Sequence, residues 1–254
     1  MTQYNLQGNV VVENPKGLPK VGNLLYDDLG KRIIDELNKE FEKAPRISLI
    51  NVEEGKPISY SNVPRALFID QKLAELDPKM YGHIHLLSPE EVIRFLELGV
   101  IPEVSSTYAD TNSIVVYPNE GPNENLRQEV MDIMGIRNPK IPFVVPRLGF
   151  EYAADNDQKF RFKRKKGLTQ EPKEAEWLRQ EGYVRYNPKT NSLESCAIED
   201  KGARYVWTPN DQSGLRRLCR GGSGVLGARV DDLLSSSDDG RVQIFQDPKG
   251  LAKK

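Results

Sequence analysis

Cysteine and histidine are nearly missing from this chain, with two of each among 254 residues. Two cysteines cannot build the disulfide framework of a small secreted scaffold. Cys196 and Cys219 have no CxxC spacing and no histidine near them in sequence, so neither a redox pair nor a thiol nucleophile is expected. No apolar run reaches the roughly 18 residues that a membrane-crossing helix needs. The opening stretch, MTQYNLQGNVVVENP, lacks the basic start and long apolar core of a secretory signal, and the closing GLAKK has no lipidation box. Location is left open between the cytoplasm and surface display, and no membrane insertion is expected. A surplus of charge is missing too. The 36 Lys and Arg stand against 37 Asp and Glu, which argues against bulk attraction to nucleic acid or acidic membranes. The Gly-rich stretch 221–224 lacks the Lys-Ser/Thr that ends a phosphate loop, and no GxSxG elbow occurs. No set of nucleophile, base and oxyanion donors can be assembled. The expectation is a protein that is not an enzyme and needs no cofactor.

What is present is a mixture of helical and extended patterns. Leu24, Leu25, Leu29, Ile33, Leu37 and Phe41 recur at steps of three and four, predicting a helix over 24–44 that Pro45 closes. A second helix is expected at 88–99, where Ser88 suits the N-cap, Pro89 the first turn and Gly99 the stop. A third is expected at 123–135, between Asn123 and Gly135. Strands are expected at 9–13, 47–52, 66–69, 113–117, 142–145, 150–153, 204–207 and 242–245. Residues 183–186 and 192–197 flank the turn-rich NPKTN and read as a hairpin. Residues 175–182 hold a short helix at most. Helices mainly in the N-terminal half and strands in the C-terminal half favour an α+β class over alternating βαβ units. The charged stretch 155–173 is the best candidate for a boundary, and a single continuous domain over 1–254 accounts for the pattern equally well.

Two clusters could carry chemistry. His83 and His85 would project from one face of a strand, but spacing places no third ligand, and zinc takes three or four. No metal site is therefore expected. The run 160–166, FRFKRKK, interleaves Phe160 and Phe162 with cations. Such a pattern can stack bases and hold phosphates, and it makes a nucleic-acid-binding protein the alternative function. It equally describes an edge strand protected by lysine, and no nucleic-acid motif accompanies it.

The most unusual segment is 213–241, SGLRRLCRGGSGVLGARVDDLLSSSDDGR. It draws on only eight residue types and contains no Lys, Glu, Gln, Asn, Thr, Ile, Met or aromatic residue. Leu215, Leu218, Leu226 and Leu233 are apolar anchors for a core, while the glycines disfavour helix and strand interiors. Irregular backbone pinned at intervals is the expected form, and long irregular stretches inside a fold are commonly functional. All eight residue types have codons ending in a pyrimidine. Randomising the first two bases of an Asn codon gives such residues and never Lys, Glu, Gln, Met or Trp.

The spaced set Gly214-Leu215-x-Arg217-Leu218, Leu226, Leu233, Ser236 and Gly240-Arg241-Val242 resembles the C-terminal variable region of diversity-generating retroelement variable proteins, most closely the archaeal, nanoarchaeal-type branch. The resemblance implies a C-type lectin-like fold, elaborated at its N-terminus, that displays hypervariable side chains for ligand binding. It implies diversified positions at Cys219, Gly221, Gly222, Gly224, Gly227, Arg229, Val230, Asp231, Asp232, Leu234, Ser235, Ser237 and Asp238. It implies a scaffold of Leu215, Arg217, Leu218, Leu226, Leu233, Ser236, Gly240 and Arg241, with Arg220, Ser223, Val225 and Ala228 unassigned. The implied partner is a protein or cell-surface ligand. Aromatics, the usual hot spots of interfaces, are missing from this segment, so either weak binding or contact through Arg229 and the Asp side chains is expected.

Overall fold

The computed structural model describes residues 20–48, 52–76, 83–102, 105–222 and 225–247. The strand expected at 9–13 lies outside these residues. The fold is mixed α+β with a curled sheet. Among the described residues no helix is long and apolar enough to cross a membrane.

Helix α1 (Asp28–Glu40) starts later than its apolar spacing predicts. The Asp27 carboxylate accepts from the backbone N–H groups of Leu29 and Gly30 at 3.1 and 3.2 Å, and this cap fixes the first turn. Leu24 and Leu25 are buried ahead of it in extended chain, where Leu24 N–H donates to Val242 O. Pro45 opens the short helix α2 (Pro45–Ser48) rather than closing α1, so the described part of the strand expected at 47–52 is helical up to Ser48. Proline is well tolerated in a first helical turn, where its missing N–H costs nothing.

A second expectation also fails. Residues 66–69 are not a strand but the middle of helix α3 (Val63–Ala74), which is buried on nearly every side. A short apolar run reads alike for a buried helix and a buried strand. Here the Asn62 side chain caps the N-terminus by accepting from Arg65 N–H, and Pro64 occupies the first turn. The helices expected around 88–99 and 123–135 are present as α4 (Pro89–Glu97) and α5 (Glu124–Met134). Ser88 and Glu91 form a reciprocal capping box on α4.

The large sheet is built on strand β3 (Tyr108–Val116). On one side lie β4 (Phe143–Pro146) and the short β7 (Lys173–Glu174). On the other the order continues through β11 (Leu215–Arg220), β12 (Leu226–Gly227), β10 (Arg204–Trp207), β8 (Gly182–Asn187) and β9 (Ser192–Cys196). The two-residue β13 (Gly240–Arg241) pairs parallel with the start of β3. Strands β8 and β9 form the expected hairpin, and residues 176–178 make only a 3₁₀ turn. A smaller sheet joins β1 (Lys20–Asn23), β14 (Gln243–Asp247) and β2 (His83–Leu86), all antiparallel. A separate ribbon pairs β5 (Gly149–Tyr152) with β6 (Phe160–Lys163).

Strand β3 is buried on both faces. Ile114 and Val116 enter one hydrophobic cluster with α1, α3, α5, Phe150 and Phe160. Val115 and Tyr117 enter another with α4, Trp177, Val184 and Val206. This two-sided burial explains the unbroken apolar run SIVVY in place of an alternating pattern. Both clusters draw residues from either side of 155–173. Strand β11, which opens the unusual segment, runs antiparallel beside β3 with a bulge between Arg217 and Cys219. It sends Leu215 into the first cluster and Leu218 into the second.

Candidate ligand-binding surface

After β11 the chain turns, returns as β12 beside Cys219 and Arg220, then runs irregularly from 228 to 239 before β13. This irregular path is held through its own backbone. Arg216 Nη1 donates to Arg229 O at 3.0 Å, and Arg217 N–H to Val230 O at 3.3 Å. Asn123 Nδ2 donates to Asp231 O at 2.5 Å and to Leu215 O at 3.0 Å. Val63 N–H donates to Leu233 O at 3.1 Å, Asn62 Nδ2 to Leu234 O at 3.4 Å, and Arg217 Nη1 to Ser235 O at 3.0 Å. Backbone carbonyls withdrawn from water require partners, and here side chains and backbone N–H groups from β11 and from the starts of α3 and α5 supply them. Asn123 sits at the first position before α5 but makes no side-chain cap there. Its φ of 59° is one that asparagine tolerates better than most residues, and its amide faces the segment.

The donors are themselves fixed in the interior. Arg217 makes a two-pronged pair with Asp110, Nε to Oδ1 at 2.8 Å and Nη2 to Oδ2 at 2.9 Å. Ser61 donates to the same carboxylate at 2.7 Å. The guanidinium also lies over the Tyr108 ring, 4.8 Å from its centroid. Burial works against the Arg217 charge, but the Asp110 carboxylate, Cys219 and Tyr108 together outweigh it and hold the guanidinium pKa above its ordinary value. Arg220, unassigned from sequence, is 1% exposed and donates to Pro102 O and Gln243 Oε1. Burial alone lowers its pKa. It is a structural member of the segment, as is the fully buried Ala228.

Side chains along the same path divide cleanly. Arg229, Val230, Asp231, Asp232, Ser235, Ser237 and Asp238 are exposed. Leu215, Arg217, Leu218, Leu226, Leu233 and Gly240 are buried, while Ser236 and Arg241 are half-buried. At Gly240 a Cβ would lie 2.5 Å from Tyr108 Oη and 2.9 Å from Ser61 N, so only glycine fits. Cys219, Gly221 and Gly227 are half-buried at the β11–β12 turn. Burial pushes the Cys219 thiol up to about 11, which removes it as a nucleophile at neutral pH.

Besides these half-buried positions, two residues of the implied diversified set stand apart from the exposed group. Leu234 is 5% exposed and packs in the first cluster beside Leu233. Gly222 presses against the 105–107 turn, where a Cβ would stand 2.4 Å from Ser105 O. Gly224 and Ser223 lie outside the described residues.

One of the exposed side chains, Arg229, meets an aromatic group that sequence reasoning did not connect with the segment. Trp207 is 39% exposed and carries the Arg229 guanidinium over its ring at 4.5 Å. Tyr205 packs edge-on against Trp207, and Tyr183 against Tyr205, with centroids 5.1 and 5.2 Å apart. Arg229 also pairs with Glu181. The sequence signal was available: Tyr205 and Trp207 alternate on one face of an expected strand, and the pairing of β10 with β12 brings that strand beside residue 227.

The other sequence candidates lie elsewhere. His85 contacts Glu91 at 2.9 Å while His83 is exposed. Burial opposes the Glu91 charge, but His85 and the Ser88 N–H hold its carboxyl below the usual range. Among the described residues no group of three His, Cys, Asp or Glu side chains is placed to hold a metal ion. In 160–166, Phe160 and Phe162 are buried. Arg161 pairs with Asp155, Lys163 with Glu151, Arg164 with Glu171, and Lys165 with Glu75. Neither ring is open to a base.

Comparison of the chain with protein-family models, with curated proteins and with solved structures returns no match.

Proposed function

We propose that this is a non-enzymatic ligand-binding protein whose binding surface is the segment 219–238, diversified by retroelement-directed adenine mutagenesis. One observation carries the proposal. The segment is held by its backbone carbonyls, while the side chains of Arg229, Val230, Asp231, Asp232, Ser235, Ser237 and Asp238 face solvent. A surface built this way can change residues without losing its path, because substitutions at exposed positions away from packing usually cost within about 0.5 kcal/mol. Rigid backbone with adaptable side chains is also how antibody paratopes limit the entropy cost of binding. The diversified set in this proposal omits Gly222 and Leu234.

A C-type lectin-like fold belongs to the same proposal. It is supported by a curled sheet in which the segment's two strands, β11 and β12, lie between β3 and β10. The target is a protein or cell-surface molecule. Trp207 and Tyr205 give the surface the aromatic contact that the segment itself lacks.

The test is the DNA beside the gene. A near-copy of the 3′ end with adenines at the exposed positions, next to a reverse transcriptase gene, is the expected finding. Absence of both overturns the diversification. Against a nucleic-acid function stands the burial of Phe160 and Phe162 and the pairing of their neighbouring cations.

A further inference from the structure

A second concave site lies away from the segment. It is a cleft of about 290 Å³ between α4, β3, β4 and the β8–β9 hairpin, and no residue of 213–241 lines it. That volume is close to the lower end, about 300 Å³, of small-molecule sites. Its floor is Arg147, which stands in the turn between β4 and β5 with φ of 55°. A non-glycine residue in this region stores strain that surrounding contacts must offset. Those contacts are present. Arg147 N–H donates to Asn112 O at 2.7 Å, and Arg147 Nε to Asp70 Oδ2 at 2.8 Å. Asp70 is 1% exposed, and its other oxygen accepts from Leu86 N–H at 2.8 Å. The guanidinium is thus locked by its Nε edge, and its two terminal nitrogens have no acceptor among the described residues.

Arg94 lines the same cleft. Its guanidinium lies over the Tyr186 ring at 5.6 Å and likewise has no carboxylate partner among the described residues. The two carboxylates on the wall are already engaged, Glu91 by His85 and Ser88 N–H, and Glu90 by Lys173 at 3.1 Å. With both carboxylates engaged, the charged groups left with unused hydrogen-bonding capacity in the cleft are two planar cations.

We infer that this cleft is a binding site for a small oxyanion, a carboxylate or phosphate compound held between Arg147 and Arg94. Planar guanidinium forks match both oxyanions bidentately. The site is lined from outside 213–241, so it stands whether or not 219–238 is diversified.

The experiment titrates the full chain with inorganic phosphate and, separately, with succinate, at ionic strength held constant with chloride, reading heat and thermal shift. Saturable binding of one probe is expected, and which one saturates separates phosphate from carboxylate ligands. Arg94→Gln removes a solvent-facing cation and leaves the buried pair intact. It should weaken that binding by about tenfold or more, and Arg147→Lys should abolish it. Arg229→Ala, outside the cleft, should leave it unchanged. If neither probe saturates, or if Arg94→Gln binds the probe as the parent does, the inference is overturned. Should Arg147→Lys fail to fold, the Arg94→Gln result decides.

Discussion

Two segments stand out in the sequence, 160–166 for its cations and 213–241 for its narrow choice of residues, and they are held in opposite ways. In the first, side chains do the holding. Phe160 and Phe162 fill the core, with rings 5.4 Å apart, and four of its five cations are ion-paired. In the second, beyond the leucine anchors and the buried arginines of β11, the irregular part from 229 to 235 is gripped mainly by its backbone. Where side chains carry the hold, a residue cannot change without loss. Where carbonyls carry it, the side chains are released for contact with something else. A conspicuous composition therefore says little about function until it is known which atoms of the segment are already engaged.

The contrast is broken most forcefully at the donors. Arg217→Leu strands the Asp110 carboxylate in the interior, and losing one partner of a buried pair costs about 3–5 kcal/mol. The expected fall in Tm is roughly 6–20 °C. Adding Asp110→Leu to Arg217→Leu should recover part of that loss, since an apolar pair removes the stranded charge. Equal damage from the double and single variants would show that the donor to Ser235 O, not the charge, is what matters. In the basic run, Phe160→Ala should cost about 3–5 kcal/mol. Lys163→Gln and Arg164→Gln should each cost under about 1 kcal/mol. Thermal unfolding measures all three. The reverse order would mean that the cations, not the rings, hold that strand.

The division between anchors and exposed positions could be read from the leucines because an isolated Leu among Gly, Ser and Asp has one stable place, the core. Leu215, Leu218, Leu226 and Leu233 are buried there. Leu234 defied the same reading because adjacent leucines in irregular chain need not alternate, and here Leu233 and Leu234 are both buried. Gly222 was illegible for another reason: its crowding comes from Ser105 O, a contact more than a hundred residues away in sequence. Helix α3 was misread because a run as short as ALFI carries no period of its own, and only the Asn62 cap and Pro64 decide between helix and strand. The roles of Asn123 and Asp110 were hidden outright. A donor to a carbonyl 108 positions along the chain has no local signature. The strands around the segment were more legible, since β8, β9 and β10 alternate or flank turn residues.

A smaller effect isolates the backbone hold itself. Asn123→Gly keeps the left-handed backbone conformation and deletes the amide that serves Leu215 O and Asp231 O, together with the long 3.3 Å bond its Oδ1 accepts from Gln158 Nε2. A loss of about 1–2 kcal/mol is expected for the two bonds. Hydrogen exchange should quicken across 229–235 more than in the middle of α5. Uniform acceleration over both would mean that Asn123 stabilises the helix start and not the segment.

The smallest expected effect is the most informative. Single replacement of Val230, Ser235, Ser237 or Asp238 by Ala or Tyr should shift stability by no more than about 0.5 kcal/mol, and Asp231, whose carboxylate lies 3.6 Å from the buried Arg216 guanidinium, by somewhat more. Arg229 should behave similarly, because its pair with Glu181 lies at the surface, where such pairs contribute about 0–1 kcal/mol. Asp232 should be the costliest of the exposed group, since its carboxylate accepts from Leu234 N–H at 2.9 Å and from Arg46 at 2.7 Å. Leu233→Ala and Leu234→Ala, interleaved with these positions, should cost about 2–5 kcal/mol. Thermal or denaturant unfolding of the series gives a profile that rises at the two leucines and stays flat on either side. Losses above about 1 kcal/mol at the flat positions would mean that side chains share the hold. The segment would then resemble the basic run, and its freedom to vary would have no physical basis.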